Sequence, residues 1–133
     1  MTEAQLTRRE LKKIRDRWPS AFVWKINDRI TAGVPDVLLV NGRARTHARQ
    51  LWIEWKRPLS MNADSWALLT PLQQKNVQRL VHHDQQVVIG VFWPNKTITF
   101  DYVFRRINDG LNVDLLRSTH HDLVSLLTEE YGW

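Results

Sequence analysis

GVPDVLLV, residues 33–40, and LWIEWKRP, residues 51–58, decide the reading of the fold. Both are apolar runs of strand length. Asn41-Gly42 lies between them, a strong turn signal that makes them neighbouring strands. Yet the first run opens with Asp36, and the second sets Glu54 and Lys56 among Trp52, Ile53 and Trp55. Side chains two apart on a strand share a face, roughly 6–7 Å apart along it. Glu54 and Lys56 therefore point one way while Ile53 and Trp55 point the other. Asp36 follows a rigid proline, so a hairpin can bring it beside Glu54.

Two carboxylates that close repel unless a cation or a proton lies between them. Oxygen ligands favour Mg²⁺, Mn²⁺ or Ca²⁺. Lys56 then adds a positive charge that can orient water or stabilise charge developing on a phosphate. The plain alternative is a Glu–Lys ion pair on an ordinary strand and an unrelated turn aspartate. Joint occurrence favours the chemical reading: Gly-x-Pro-Asp, an apolar strand, a turn, then Glu-x-Lys on the next strand.

Outward from this pair, residues 3–18 read as a helix with Leu6, Leu11, Ile14 and Trp18 as its apolar stripe. Glu10 falls inside that stripe, and Glu3 projects on the same side. Residues 21–26, 36–40 and 50–56 read as three strands. Thr70-Pro71 opens a helix that runs to about His83, with Thr70 as N-cap and Pro71 at the first position. Residues 86–93 form a fourth strand, and 97–100 are a candidate fifth. A last amphipathic helix follows Thr119, with Leu123, Leu126, Leu127 and Tyr131 on one side. The order αβββαβ implies an α/β fold: a mixed central sheet flanked by helices, with an extra C-terminal helix. A single domain over 1–133 is expected, with a core at about 3–93 and an extension at about 97–133.

Nineteen Lys+Arg against fourteen Asp+Glu give a net charge of +5, which suits a polyanionic partner such as nucleic acid. The absence of cysteine excludes disulfides, iron–sulfur clusters and Cys-based zinc sites. No apolar run approaches the ~20 residues of a membrane span, and the first residues lack the apolar core of a signal peptide. A cytoplasmic location is expected, with a bacterial or phage origin as a guess from compactness.

GVPDVLLV, LWIEWKRP and LTPLQQ (residues 69–74) together resemble the motifs of the VRR-NUC branch of the PD-(D/E)xK nuclease superfamily. The resemblance covers roughly residues 3–93 and implies a restriction-endonuclease-like fold. It also implies a metal-dependent DNA endonuclease, with Mg²⁺ or Mn²⁺ held by Asp36, Glu54 and the carbonyl of Trp55. Lys56 would assist catalysis and Gln73 would join the active site. A first-helix glutamate often joins such sites, and Glu10 is the best match. The stand-alone domains resemble Holliday-junction resolvases in acting as symmetric dimers, so a homodimer on branched DNA is expected. The C-terminal helix and the Trp66 loop are its candidate contacts.

Two rival functions stay open: a non-catalytic DNA-binding module with the same fold, and a nuclease subunit that needs a larger partner. Gln73 has a second reading, because Thr70-x-x-Gln73 is a capping box. The connection 57–69 is longer than the compact family pattern. Arg43, Arg45, His47 and Arg49 are candidate phosphate contacts on a loop near the site, as is Lys75 on the second helix; a solvated hairpin tip is the alternative for the loop. Trp18, Trp24, Trp52, Trp55 and Trp93 are expected in the core, and Trp66 is a candidate for stacking on a base. His82-His83-Asp84 and His120-His121-Asp122 read as helix-end chemistry and not as metal sites.

Overall fold

The computed structural model describes residues 1–26, 33–43, 49–58, 64–106 and 113–133. Helix α1 spans Glu3–Arg17, followed by strands β1 (Phe22–Lys25), β2 (Val37–Val40) and β3 (Gln50–Lys56). Two helices come next, the single turn α2 (Ser65–Leu68) and α3 (Pro71–His82). Strands β4 (Gln86–Phe92), β5 (Ile98–Arg105) and β6 (Val113–His120) precede the last helix, α4 (Leu123–Tyr131). The six strands form one sheet in sequence order. Neighbours are antiparallel except β3 and β4, which run parallel. A parallel pair needs a crossover, and α2 and α3 supply it. The result is the expected α/β architecture, an αβββαβ core with a mixed sheet.

Strand β3 shows why this chain folds this way. Leu51, Ile53 and Trp55 are fully buried on one face, against Leu6, Leu11 and Ile14 of α1 and Leu123, Leu126 and Leu127 of α4. Trp52, Glu54 and Lys56 face the other side by strand alternation. There α3 lays Val77 and Val81 on Val87, Ile89, Val91 and Val103. Trp55 lies over Gly90, its register partner on β4; a Cβ at Gly90 would sit 2.5 Å from the indole ring. Burial of β2 and β4 on both faces explains their unbroken apolar sequences.

Three expectations are corrected. Strand β6 occupies 113–120, where no strand was expected, and β5 extends well beyond residue 100. Thr119 pairs with Thr99 inside the sheet, and the last helix is capped by Asp122, which accepts from the Ser125 N–H at 2.9 Å. Trp24 is half exposed instead of lying in the core.

The proposed dimer contacts are also used internally: α4 buries its apolar side in its own core, and Trp66 packs on the α3-side cluster. Among the described residues, no helix is long and apolar enough to cross a membrane.

Candidate active site

Asp36 and Glu54 meet at the mouth of the β2–β3 hairpin. The Asp36 N–H donates to Glu54 Oε2 at 3.1 Å, and the Trp55 N–H donates to Asp36 Oδ2 at 3.2 Å. Each strand thus holds the other's carboxylate through its own backbone. Lys56 places its ammonium 3.5 Å from Glu54 Oε1, with a side chain that is 16% exposed.

The turn before Asp36 explains how α3 reaches this point. Gly33 has φ +88, and a Cβ there would lie 2.7 Å from Leu72 and 2.8 Å from Asn76. Only glycine permits both that backbone conformation and so close an approach of α3. The first turn of α3 is thereby seated beside the hairpin, and Gln73 Nε2 donates to Glu54 Oε1 at 3.0 Å.

Gln73 contacts Glu54 and caps its own helix at once. Its Oε1 accepts from the Thr70 N–H at 2.9 Å, while its own N–H donates to Thr70 Oγ1 at 3.2 Å, completing the capping box. Because Oε1 is fixed by a backbone donor, the amide cannot flip, and its NH₂ faces Glu54.

Burial sets the electrostatics. It pushes the Glu54 carboxyl up from 4.5 to about 8, with the charge of Asp36 as second cause and Lys56 only partly offsetting both. Asp36 is also raised, again chiefly by burial, with the Trp55 N–H, Lys56 and Lys25 opposing. An acid pair largely withdrawn from water, with too little positive charge, holds a proton or takes up a cation. Its donors are all oxygen, which suits Mg²⁺ or Mn²⁺. The chemistry of this donor set is compatible with such an ion. Among the described residues, no cluster of three or more acidic, histidine or cysteine side chains supplements the pair.

Glu10 does not join it. It is fully buried, and its Oε1 accepts from the Leu123 N–H at 3.3 Å, at the start of α4. Lys13 lies 3.4 Å from its other oxygen and bridges to Asp122 at 3.2 Å. Two turns of helix separate it from Glu3, the α1 acid that does approach the pair. Glu3 accepts from the Arg57 N–H at 3.1 Å. With Ala4, Thr7, Lys25, Ile26 and Asp36 it lines a cleft of about 190 Å³. The sequence places both glutamates on one side of the helix; which end of α1 meets the hairpin is a tertiary fact.

Arg43 and Arg49 are likewise displaced. Asn41 N–H donates to the Arg49 carbonyl at 2.7 Å, closing the hairpin at the end away from the acids. Five residues of strand, about 17 Å, intervene. Arg43 and Arg49 therefore sit at the far end of the hairpin from the acids, and Arg45 and His47 lie outside the described residues. Lys75 is exposed in the first half of α3, two residues from Gln73. In the long connection, Trp66 accepts through its carbonyl from Gln74 Nε2 at 2.9 Å, which ties α2 to α3.

No protein-family model matches the sequence, and no curated protein matches it. Among solved structures, the chain is similar to Hjc of Archaeoglobus fulgidus, a Holliday junction resolvase from an archaeal hyperthermophile. The two share 13% identity with a TM-score of 0.47, over 85% of this chain and 88% of that one. The fold assignment rests on the strand order and register described above.

Proposed function

We propose that this chain is a metal-dependent endonuclease that hydrolyses phosphodiester bonds in DNA. The observation that supports it most is the reciprocal clasp of Asp36 and Glu54, the first half-buried and the second buried, with Lys56 alongside. An ordinary strand gains nothing from a buried carboxylate facing a half-buried one, because ionising the pair is costly. A site built to hold a cation against a phosphate needs them. The excess of basic residues suits the same polyanionic substrate. The preference for branched DNA and the action as a homodimer follow from the VRR-NUC resemblance of the three motifs.

Asp36, Glu54 and the Trp55 carbonyl would hold Mg²⁺ or Mn²⁺, which when bound supplies charge to offset that of the scissile phosphate. Gln73 keeps the Glu54 carboxylate aimed by donating to Oε1. Lys56 can turn its ammonium from Glu54 to a phosphate oxygen or to the attacking water, because its partner lies at a loose 3.5 Å. In-line attack forms a new bond from water oxygen to phosphorus and breaks the bond to the 3′ oxygen. The water loses a proton, the 3′ oxygen gains one, and the products carry 5′-phosphate and 3′-hydroxyl ends.

The test is a panel of labelled linear, flapped, splayed and four-way DNAs with Mg²⁺, Mn²⁺, Ca²⁺ or EDTA. Cleavage is expected with Mg²⁺ or Mn²⁺ and not with EDTA, and it should be lost in Glu54→Gln and Lys56→Ala. Binding of branched DNA without any nick under all conditions would support a non-catalytic module instead. Activity that appears only with a larger partner would identify a dependent subunit.

A further inference from the structure

The sheet has two edges, and they are finished differently. Strand β6 carries ion-paired charges: Asp114 with Arg106 at 2.6 Å and Arg117 with Asp101 at 2.7 Å. Charges on an edge discourage pairing with another strand. Strand β1 carries Phe22, Val23, Trp24 and Lys25, with Phe22 55% and Trp24 50% exposed on the same face. Among the described residues no strand pairs with the outer side of β1, and large aromatics exposed beside such an edge suit a partner strand.

The hydrogen-bond alternation fixes which partner fits. Ile26 N–H donates inward to the Asp36 carbonyl at 2.8 Å. Antiparallel bonding alternates, so Trp24 and Phe22 also bond inward, and Val23 turns its N–H and C=O outward. That outward pair is flanked symmetrically by the two aromatics. A second β1, antiparallel about Val23, sets Val23 opposite its own copy and Phe22 opposite the other Trp24, twice. The aromatic pairs then fall at non-hydrogen-bonded positions, where facing side chains are closest. Lys25 falls opposite Ala21 and not opposite the other Lys25. The row Trp24–Leu38–Trp52, in register across three strands, continues over the seam.

We infer that β1 is the seam of a symmetric dimer, in which two copies form one continuous twelve-stranded sheet. Side chains of this kind bury 150–250 Å² each, so the half still exposed offers roughly 400 Å² across two copies. That is well below the roughly 1,200–2,000 Å² of a stable interface, so the association is a weak one.

The axis stands perpendicular to the sheet, so both α3 faces open the same way. Three strand spacings across and six residues along put the two Asp36 positions roughly 25 Å apart. The seam rests on the edge strand alone; its use for cutting two DNA strands rests on the proposed nuclease function.

The chain has no cysteine, which makes the test clean. In a hydrogen-bonded antiparallel pair the Cα atoms are about 5.5 Å apart, within disulfide reach. Val23→Cys should therefore form a covalent dimer under mild oxidation. Sedimentation from 1 to 100 μM should show the wild type passing from 15.8 kDa to twice that mass. Phe22→Lys with Trp24→Lys should weaken that association at least about tenfold without changing the circular-dichroism melt, because both side chains are half exposed. A wild type that stays monomeric at 100 μM, a double variant that dimerises as before, or a dimer that Val23→Cys does not trap would each overturn the seam. Nicking by the monomeric double variant separates the two claims. If it persists while paired cuts vanish, the seam and the nuclease both stand; if neither protein cuts DNA, the nuclease proposal fails and the seam is judged by mass alone.

Discussion

Replacing Asp36 by Asn should abolish cleavage and yet make the metal-free protein more stable. The Glu54 carboxyl is raised from 4.5 to about 8 in the fold. At about 1.4 kcal/mol per unit, ionising it inside the protein costs on the order of 5 kcal/mol. The fold thus holds a proton that the unfolded chain has already lost between pH 4.5 and about 8. Stability falls as pH rises through that window and levels off above it. Burial is the larger cause and the charge of Asp36 the second, so removing Asp36 returns the smaller share, together with the burial penalty of Asp36 itself. A gain on the order of 2 kcal/mol is expected, about 6–10 °C in Tm for a chain of this size. The variant can keep its Oδ accepting from the Trp55 N–H. The assay is thermal unfolding in EDTA at pH 8.5 and at pH 5, where Glu54 is protonated in the wild type and the gain should shrink. Adding Mg²⁺ should raise the wild type and not the variant. A variant that melts at or below wild type at pH 8.5, or a gain equal at both pH values, would refute the account of a frustrated acid pair.

Four further outcomes follow from the same geometry. Thr70→Ala removes only the cap, so it should lose about 1 kcal/mol in denaturant unfolding with cleavage nearly intact. Gln73→Ala removes the cap and the donor to Glu54, and cleavage rates should also fall about 10–100-fold. Glu10→Gln keeps an acceptor for the Leu123 N–H and loses the ion pair with Lys13, so it should change cleavage by less than about twofold at 25 °C while lowering Tm by a few degrees; a large loss of activity in the folded variant would return Glu10 to the site. Gly33→Ala forces a Cβ against Leu72 and Asn76 at a positive φ, and should cost about 2–3 kcal/mol by urea titration; an unchanged midpoint would mean that α3 does not press on this turn.

The central elements were legible because local and tertiary signals agree there. Strand β3 was bounded at 50–56, as found, since Asn41-Gly42 and Pro58 punctuate it and its apolar run is long. Helix α3 announced itself through Thr70 and Pro71. Strand β6 was not legible: VDLLRSTH is half exposed at a sheet edge, and its charged residues face partners that only the fold supplies. Glu10 was assigned to the wrong neighbour because a helical stripe gives the angle of a side chain around an axis, not which end of the axis meets the hairpin. The same gap misplaced Arg43 and Arg49: a turn signal fixes that two strands pair, but the distance of its tip from a site depends on which end of each strand carries the acids. Gln73 was legible in type and position, and what was missing was only that one amide can serve two partners with two atoms.

Strand β3 places Leu51, Ile53 and Trp55 in a dry layer and Glu54 and Lys56 on the opposite face. Sliding the strand by one residue would exchange these sets and drive both charges under α1 and α4. The oily side of the strand therefore works as a gauge for the reactive side: a molecule that passes the test of folding has already aligned its acid and its lysine. Batch-to-batch loss of activity in folded protein should accordingly be traced to ion supply or substrate form, never to a misregistered β3.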